Sequence, residues 1–228
     1  MKILLISDIH SNWAALQAIV AQESFDVCLC AGDIVDYGTD PKPCVDWVRQ
    51  HADVCIRGNH DHAVAQKIRP KGGGGLHCVA AAARPLHWQM LSDADLDWLG
   101  LLPITQYVEY DRKRFFLVHA TPRDPLDEYL GPQKISWEER LREVEADIVM
   151  VGHTHQPYLL EVEDKLVLNP GSVGQPRDRD PRASYAIYED GEIRLERIEY
   201  DIEAAVQQME ACCPSEEAIR IAEQAWTN

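Results

Sequence analysis

The chain has 228 residues, which is enough for one large domain or two small ones. Its hydrophobic content of 46% and charged content of 26% are those of an ordinary globular protein. The formal net charge of −16 disfavours binding to long nucleic acids or to an anionic membrane, because both need a basic surface. No apolar run is long enough to cross a bilayer, and a first strand from Lys2 leaves no room for a secretory signal, so we expect a cytoplasmic protein.

The first half of the chain alternates apolar runs with segments of helical spacing. Two β-α-β units are predicted there, from elements at 2–7, 12–22, 27–31, 41–51 and 54–57. Right-handed crossovers are expected between the parallel strands. Asp40 is expected to cap the second helix, with Pro41 at its first position.

Residues 62–103 lack clear strands. Four consecutive glycines at 72–75 predict a backbone that is mobile or left-handed. Ser92 is predicted to cap a helix that Pro103 ends. We interpret this stretch as a helical insertion near the functional site within a single domain that spans 1–228.

The second half is rich in predicted strands, at 106–110, 114–119, 147–151, 158–163, 166–169, 183–188 and 193–200. A helix is predicted at 136–146, with Ser136 and Glu139 as a capping box. C-terminal helices are predicted at about 201–226, interrupted by Pro214.

Five short polar motifs each follow a predicted strand. They are Asp8-Ile9-His10, Gly32-Asp33, Gly58-Asn59-His60-Asp61, His119 and Gly152-His153-Thr154-His155. The carboxyl ends of strands in an open α/β sheet are where ligand sites form. Asp, Asn and His side chains bind small divalent cations, so the five motifs together predict one polynuclear metal site.

Taken singly, most of these motifs are weak evidence for a metal site. Asp-x-His and Gly-Asp are common in surface loops and turns, and a lone histidine such as His119 is more often part of a core. The Gly-Asn-His-Asp motif is stronger, because Asn59 offers a neutral oxygen ligand while the side chain of His60 diverges from it. The specificity comes from the order of all five motifs along the chain.

In this order the motifs resemble those of the calcineurin-like metallophosphoesterase superfamily. The stretch from Asn169 to Arg177 is similar to its small prokaryotic branch of phosphodiesterases and phosphatases. The resemblance extends from Lys2 to about Tyr200. It implies an α/β fold, a four-layer α-β-β-α sandwich of two mixed sheets flanked by helices, and a centre of two divalent metal ions.

When each motif of this chain is matched to the corresponding motif of the family, the resemblance implies a set of metal ligands. One ion would take Asp8, His10, Asp33 and His155. The other would take Asp33, Asn59, His119 and His153, so that Asp33 bridges the two. A mixed set of this kind accepts Mn, Fe, Zn, Ni or Co, and the sequence does not choose among them.

The resemblance also implies a mechanism. We expect a metal-bridging hydroxide to attack phosphorus in line, with His60 assisting the leaving group. Asp61 is predicted either to orient His60 or to be a solvated carboxylate at a helix start. Arg177 is predicted to contact a substrate phosphate, the alternative being a solvated loop of local ion pairs. The remaining histidines of the insertion are expected on the surface, the alternative being that one of them touches substrate; they are His62, His77 and His87.

The expected function is therefore metal-dependent hydrolysis of a phosphoric monoester or diester. The substrate would be a small phosphorylated compound or a phosphoprotein, because the acidic charge disfavours long nucleic acids. The alternative is a non-catalytic metal-binding scaffold or interaction protein of the same fold, against which the presence of His60 argues. A metallopeptidase or deaminase would carry His-Glu-x-x-His or Pro-Cys-x-x-Cys, and neither motif occurs. The sequence leaves the oligomeric state open.

Overall fold

Two five-stranded sheets form the centre of the computed structural model, which describes residues 1–70 and 73–227. The strands of the first sheet are Lys2–Ile6 (β1), Val27–Cys30 (β2), Val54–Cys55 (β3), Ala183–Glu189 (β9) and Glu192–Ile198 (β10). Their order is β10-β9-β1-β2-β3. β1, β2 and β3 run parallel, and β9 is antiparallel to both β1 and β10.

The second sheet has the order β4-β5-β6-β8-β7. Its strands are Thr105–Tyr110 (β4), Lys113–Val118 (β5), Ile148–Met150 (β6), Tyr158–Val162 (β7) and Lys165–Asn169 (β8). β6 is parallel to both β5 and β8, whereas β4 and β7 are antiparallel to their neighbours. Both sheets are therefore mixed, as predicted.

Helices cover the outer faces of the two sheets and form the chain end. They are Trp13–Gln22 (α1), Pro41–His51 (α2), Asn59–Ala65 (α3), Leu76–Met90 (α4), Asp93–Leu101 (α5), Lys134–Arg140 (α6), Ile202–Cys212 (α7) and Glu216–Thr227 (α8). Across residues 1–70 and 73–227, none of these helices is long and apolar enough to span a bilayer.

The central strand β1 shows how the layers are built. Leu4 and Ile6 point outward into a core shared with α1 and α2, while Ile3 and Leu5 point into the core between the two sheets. Such a strand is apolar throughout because both of its faces are buried. On the far side of the second sheet, the fully buried Trp137 of α6 anchors the outer helical layer. The predicted four-layer α-β-β-α fold class is confirmed.

The segment at 62–103 is helical in its described part and packs against the C-terminal helices. A cluster of buried side chains joins α4, α7 and α8, and it consists of Tyr37, Val79, Ala80, Ala205, Met209, Cys213, Ala218, Ala222 and Trp226. Ser92 caps α5 as predicted, in a capping box with Asp95. In the predicted glycine run, Gly75 has a positive φ of 61°, and Gly72 lies outside the described residues.

The predicted bounds of the helix at 136–146 are wrong. α6 begins at Lys134, and its N-cap is Gln133. Ser136 lies within the first turn, where its N–H donates to the carbonyl of Gln133 at 3.0 Å, so Ser136 and Glu139 form no capping box. After Arg140 the chain turns toward β6.

Two further predictions hold only in part. Asp40 occupies the N-cap of α2, but its side chain makes no capping hydrogen bond. An N-cap side chain usually bonds to the second or third N–H of the helix, and the third residue here is Pro43, which has none. β3 ends at Cys55 because the N–H of Arg57 leaves the sheet and donates to the carbonyl of Pro103 at 2.7 Å.

Replacing Leu29 by alanine tests the core between the sheets. Leu29 is fully buried there, so Leu29→Ala is expected to lower the free energy of unfolding by about 2–5 kcal/mol. Leu101→Ala, at a side chain that is 83% exposed, should change it by less than about 0.5 kcal/mol. Urea unfolding followed by circular dichroism measures both values, and equal effects would contradict the described core.

Candidate metal centre

All five predicted motifs meet at the carboxyl ends of parallel strands. The motifs follow β1, β2 and β3 in the first sheet and β5 and β6 in the second. The backbones of Asp8, His10, Asp33, His153 and His155 have positive φ angles between 49° and 63°. Residues other than glycine rarely adopt this conformation, which concentrates at functional sites where the surrounding structure enforces it.

One group of ligand-type side chains consists of Asp8, His10 and His155, all of them buried. The Nε2 atoms of His10 and His155 lie 3.1 Å apart. The Oδ1 atom of Asp8 lies 3.4 Å from Nε2 of His155 and 3.8 Å from Nε2 of His10. Two imidazole nitrogens and one carboxylate at this spacing form a coordination site for a divalent cation.

A second group consists of Asp33, His119 and His153. Nε2 of His119 lies 3.1 Å from Oδ2 of Asp33 and 3.2 Å from Oδ1 of Asn59. Oδ2 of Asp33 is also 3.8 Å from Nε2 of His10, so this carboxylate faces both groups. The structure thus brings all of the predicted ligands to one place.

Three of the candidate ligand histidines donate hydrogen bonds from Nδ1 to backbone carbonyls. The Nδ1–carbonyl distances are 3.1 Å from His10 to Val35, 2.8 Å from His119 to Ala31 and 2.5 Å from His155 to Gln175. A carbonyl only accepts, so each Nδ1 donates its proton, and Nε2 carries the lone pair whenever the ring is neutral. The lone pairs of His10 and His155 then face each other, an arrangement that a shared cation stabilises.

The electrostatics of the site favour a cation. Oδ2 of Asp33 is buried, with Nε2 of His119 at 3.1 Å and Nε2 of His10 at 3.8 Å. Burial opposes a positive charge on His119, yet the adjacent Asp33 carboxylate raises the pKa of this histidine to about 10. Burial lowers the pKa of His10 to about 3 and that of His153 to about 4, which keeps both rings neutral. Neutral imidazoles at His10 and His153 beside buried carboxylates suit a divalent metal ion, which at His119 would take the place of the proton, so these residues fit such an ion.

Two glycines let the strand-end loops approach the carboxylates. A Cβ atom on Gly58 would collide with the side chain of Asp33, and one on Gly152 would collide with those of Ser7 and Asp8. Glycine at these two positions therefore makes room for the two acidic ligands.

His60 lies beside the ligands. The centre of its ring is 5.0 Å from that of His10 and 4.6 Å from that of Tyr37. Its Nδ1 atom lies 2.7 Å from Oδ2 of the buried Asp36. Burial opposes the imidazolium form, but Asp33 and Asp36 outweigh it and raise the pKa of His60. A protonated histidine is therefore favoured next to the metal ligands.

Asp61 does not contact His60, and the predicted pairing of the two is wrong. The Asp61 carboxylate accepts the backbone N–H groups of Asp33 at 2.8 Å and of Gly58 at 3.0 Å. It is fully buried, so the alternative of a solvated carboxylate is wrong as well. Successive side chains on a helix diverge by about 100°, so Asp61 faces the backbone of Asp33 while His60 faces the side chain of Asp36.

The carboxylate that orients His60 is Asp36, which the sequence analysis missed. Arg84 of α4 donates to the same carboxylate, with Nε 3.0 Å from Oδ2. His87 of α4, predicted on the surface, is buried; it accepts the N–H of Asp36 at 3.2 Å and donates to the carbonyl of Gly38 at 2.8 Å. One feature of the sequence could have indicated this carboxylate, namely a second aspartate three residues after the Gly-Asp motif.

A pocket of about 300 Å³ opens onto both ligand groups. Its other lining residues include Tyr37, His60, Leu76, His77, Tyr129 and Arg177.

In the described part of the chain, no carboxylate lies within ion-pair distance of Arg177. The aspartates of its loop pair elsewhere, Asp178 with Arg197 and Asp180 with Arg182. The guanidinium of Arg177 therefore brings an unneutralised positive charge to the pocket.

Comparison with known proteins agrees with this geometry. The calcineurin-like phosphoesterase superfamily domain matches residues 1–191. The chain belongs to this superfamily. The uncharacterized protein MJ0912 of Methanocaldococcus jannaschii is 32% identical over an alignment of 230 positions, and the alignment covers 91% of each chain. The phosphodiesterase YfcE of Escherichia coli K12 is 27% identical over 194 residues, which cover 82% of this chain and 86% of the relative.

Among solved structures, a metallophosphoesterase from Sphaerobacter thermophilus superposes with a TM-score of 0.80. The two chains are 33% identical, and the alignment covers 98% of each. The predicted resemblance is confirmed, and membership of the superfamily implies divalent metal ions at the grouped His and Asp side chains.

Breaking the second ligand group should weaken metal binding. After stripping and reloading with Mn or Zn, His119→Ala is expected to retain less metal than the wild type and to show a smaller metal-dependent rise in Tm, because it lacks the imidazole beside Asp33. Mass spectrometry of the desalted protein and thermal scans measure the two effects. His51→Ala, at an exposed histidine of α2, is the matched control. Equal losses in the two variants would count against the site.

Proposed function

We propose that the protein is a hydrolase of phosphoric esters with two divalent ions at its centre, drawn from Mn, Fe, Zn, Ni and Co. The observation that carries the proposal is the Asp33 carboxylate facing two ligand groups, with His60 beside them. One ion would be held by Asp8, His10, Asp33 and His155, and the other by Asp33, Asn59, His119 and His153. Such a pair of ions, when bound, activates water and neutralises phosphate charge for in-line displacement.

His60 is placed to give a proton to the oxygen of the departing alcohol. Its raised pKa favours the protonated ring, and the bond from Nδ1 to Asp36 leaves Nε2 as the donor toward the pocket. Arg84 holds Asp36 from α4, so the orientation of His60 is supported from outside the strand-end loops. A positioned general acid of this kind typically contributes about 10²–10⁴-fold to the rate.

Arg177 is placed to bind the phosphate oxygens that do not react. It lines the pocket together with His60 and Asn59 and has no carboxylate partner among the described residues. Among the described residues its buried Nε–H has no hydrogen-bond acceptor, and its Nη2 donates to Oε1 of Gln175 at 3.3 Å. The planar guanidinium keeps donors that match the oxygens of a phosphate group.

The pocket suits a small phosphorylated compound or a phosphorylated protein side chain. Similarity to a relative named as a phosphodiesterase supports activity on diesters, and the geometry also accommodates monoesters. Long nucleic acids are disfavoured by the net charge of −16.

Hydrolysis should depend on the metal, on Asp33 and on His60. Metal-free protein reloaded with Mn, Fe, Co, Ni, Zn or Mg is expected to hydrolyse p-nitrophenyl phosphate, bis-p-nitrophenyl phosphate or both, and the ratio of the two rates assigns the subclass. Asp33→Asn should abolish activity, because it removes the charge that faces both ligand groups. His60→Ala should lower kcat on alkyl esters by about 10²–10⁴-fold. His51→Ala is the control.

Two outcomes would count against this proposal. Wild-type protein that binds two metal ions but hydrolyses neither ester with any of them favours the non-catalytic scaffold. Protein that binds no metal contradicts the ligand set itself.

Asp36→Asn should reproduce part of the His60→Ala defect. Without the Asp36 charge, His60 is less basic and less firmly oriented, so kcat is expected to fall by up to about 10²-fold while KM changes little. The fall should be larger for alkyl than for p-nitrophenyl esters, because a good leaving group needs no proton. Asp46→Asn, at an exposed position of α2, is the control. A loss that is the same for both leaving groups would rule out action through His60.

A further inference from the structure

A groove adjoins the pocket of the metal centre and takes no part in the roles assigned above. It has a volume of about 380 Å³ and lies between the start of α4, the loop at 175–179 and α8. Leu76 and Arg177 line both the groove and the pocket, so the two spaces are neighbours. The groove is therefore the adjacent space for an organic group attached to a phosphate at the metal centre.

The groove combines apolar walls with two guanidinium groups. The apolar side chains are Leu76, Pro176, Ile221 and Ala225. Arg177 and Arg179 line it as well, and Arg179 is exposed, with no carboxylate within ion-pair distance in the described structure. Apolar walls favour flat hydrophobic groups, and guanidinium planes stack on aromatic rings. The chemistry of the groove thus matches a flat aromatic ring system better than a small alkyl group.

One helix outside the family match, α8, forms one side of this groove. The match to the superfamily domain ends at residue 191, whereas Ile221 and Ala225 belong to α8. The cluster that contains Val79, Met209 and Trp226 packs α4, α7 and α8 together. The same cluster includes Tyr37, whose ring lies 4.6 Å from that of His60. Packing therefore fixes the groove against the candidate site.

We propose that the groove binds an aromatic group, of the size of a nucleobase, that belongs to the phosphoric ester whose phosphate lies at the metal centre. The inference rests on the proposed function for the placement of the phosphate. It adds a substrate class, namely aryl or nucleoside esters in preference to esters of small alkyl alcohols. Selectivity among substrates is then set by Leu76, Ile221 and Ala225, which are not metal ligands.

Two phosphonates that cannot be hydrolysed separate the groove from the metal centre. Methylphosphonate occupies only the phosphate position, whereas 1-naphthylmethylphosphonate adds a flat aromatic group. Calorimetric titration of the Mn-loaded full chain is expected to show the naphthyl compound bound at least about tenfold more tightly. Ala225→Trp fills the groove and should bring the affinity for the naphthyl compound down to that for methylphosphonate in the same variant.

Two further variants make the result specific. Ala211→Trp introduces the same side chain at an exposed alanine of α7 and should keep the tenfold preference. Arg179→Gln changes an exposed side chain, so it tests the groove without disturbing the core, and it should reduce the preference by about threefold through loss of stacking.

The outcomes distinguish a failure of the groove proposal from a failure of the proposed function. Equal binding of the two phosphonates by the wild type, or a preference that persists in Ala225→Trp, overturns the aromatic site and leaves the hydrolase proposal standing. If the wild type binds neither phosphonate and hydrolyses no ester, the proposed function fails and this inference fails with it.

Discussion

Taking the Asp33 carboxylate, which is only 1% exposed, out of water costs several kcal/mol unless a positive charge faces it. Oδ1 accepts the N–H of His60 at 2.9 Å, and Oδ2 faces the imidazoles of His10 and His119. The left-handed backbone of the ligand loops brings about 1–3 kcal/mol of strain at each such residue. These costs accompany the placement of donors from five strand ends around one point. A positive charge at that point offsets the cost of burying the carboxylate.

Features that depend on neighbouring residues were predictable from the sequence. The apolar run of β1 followed by an Asp-x-His motif located both a buried central strand and two ligands at its end. The same rule located the other motifs, because parallel strands that share a sheet also share a carboxyl edge. The layered architecture came with the family resemblance, and the two mixed sheets bear it out.

Features that depend on tertiary contacts were not predictable. His87 lies 51 residues from Asp36, and nothing in its local sequence distinguishes it from a surface histidine. Asp61 is next to His60 in the chain, and this adjacency misled the prediction, because helical geometry turns the two side chains apart. In α6 the Ser-x-x-Glu pattern occurs, but the helix begins before it. A capping motif predicts a helix start only when the preceding residues leave the helix.

Helix α8 lies outside the strand-end loops that hold the candidate ligands, yet it lines a groove that shares Leu76 and Arg177 with their pocket. Substitutions on the surface of α8 that faces the groove leave every coordinating atom in place. New substrate preferences can therefore arise by drift in a helix that the hydrolytic step does not require. After gene duplication, two copies of such a protein can diverge in specificity well before they diverge in chemistry.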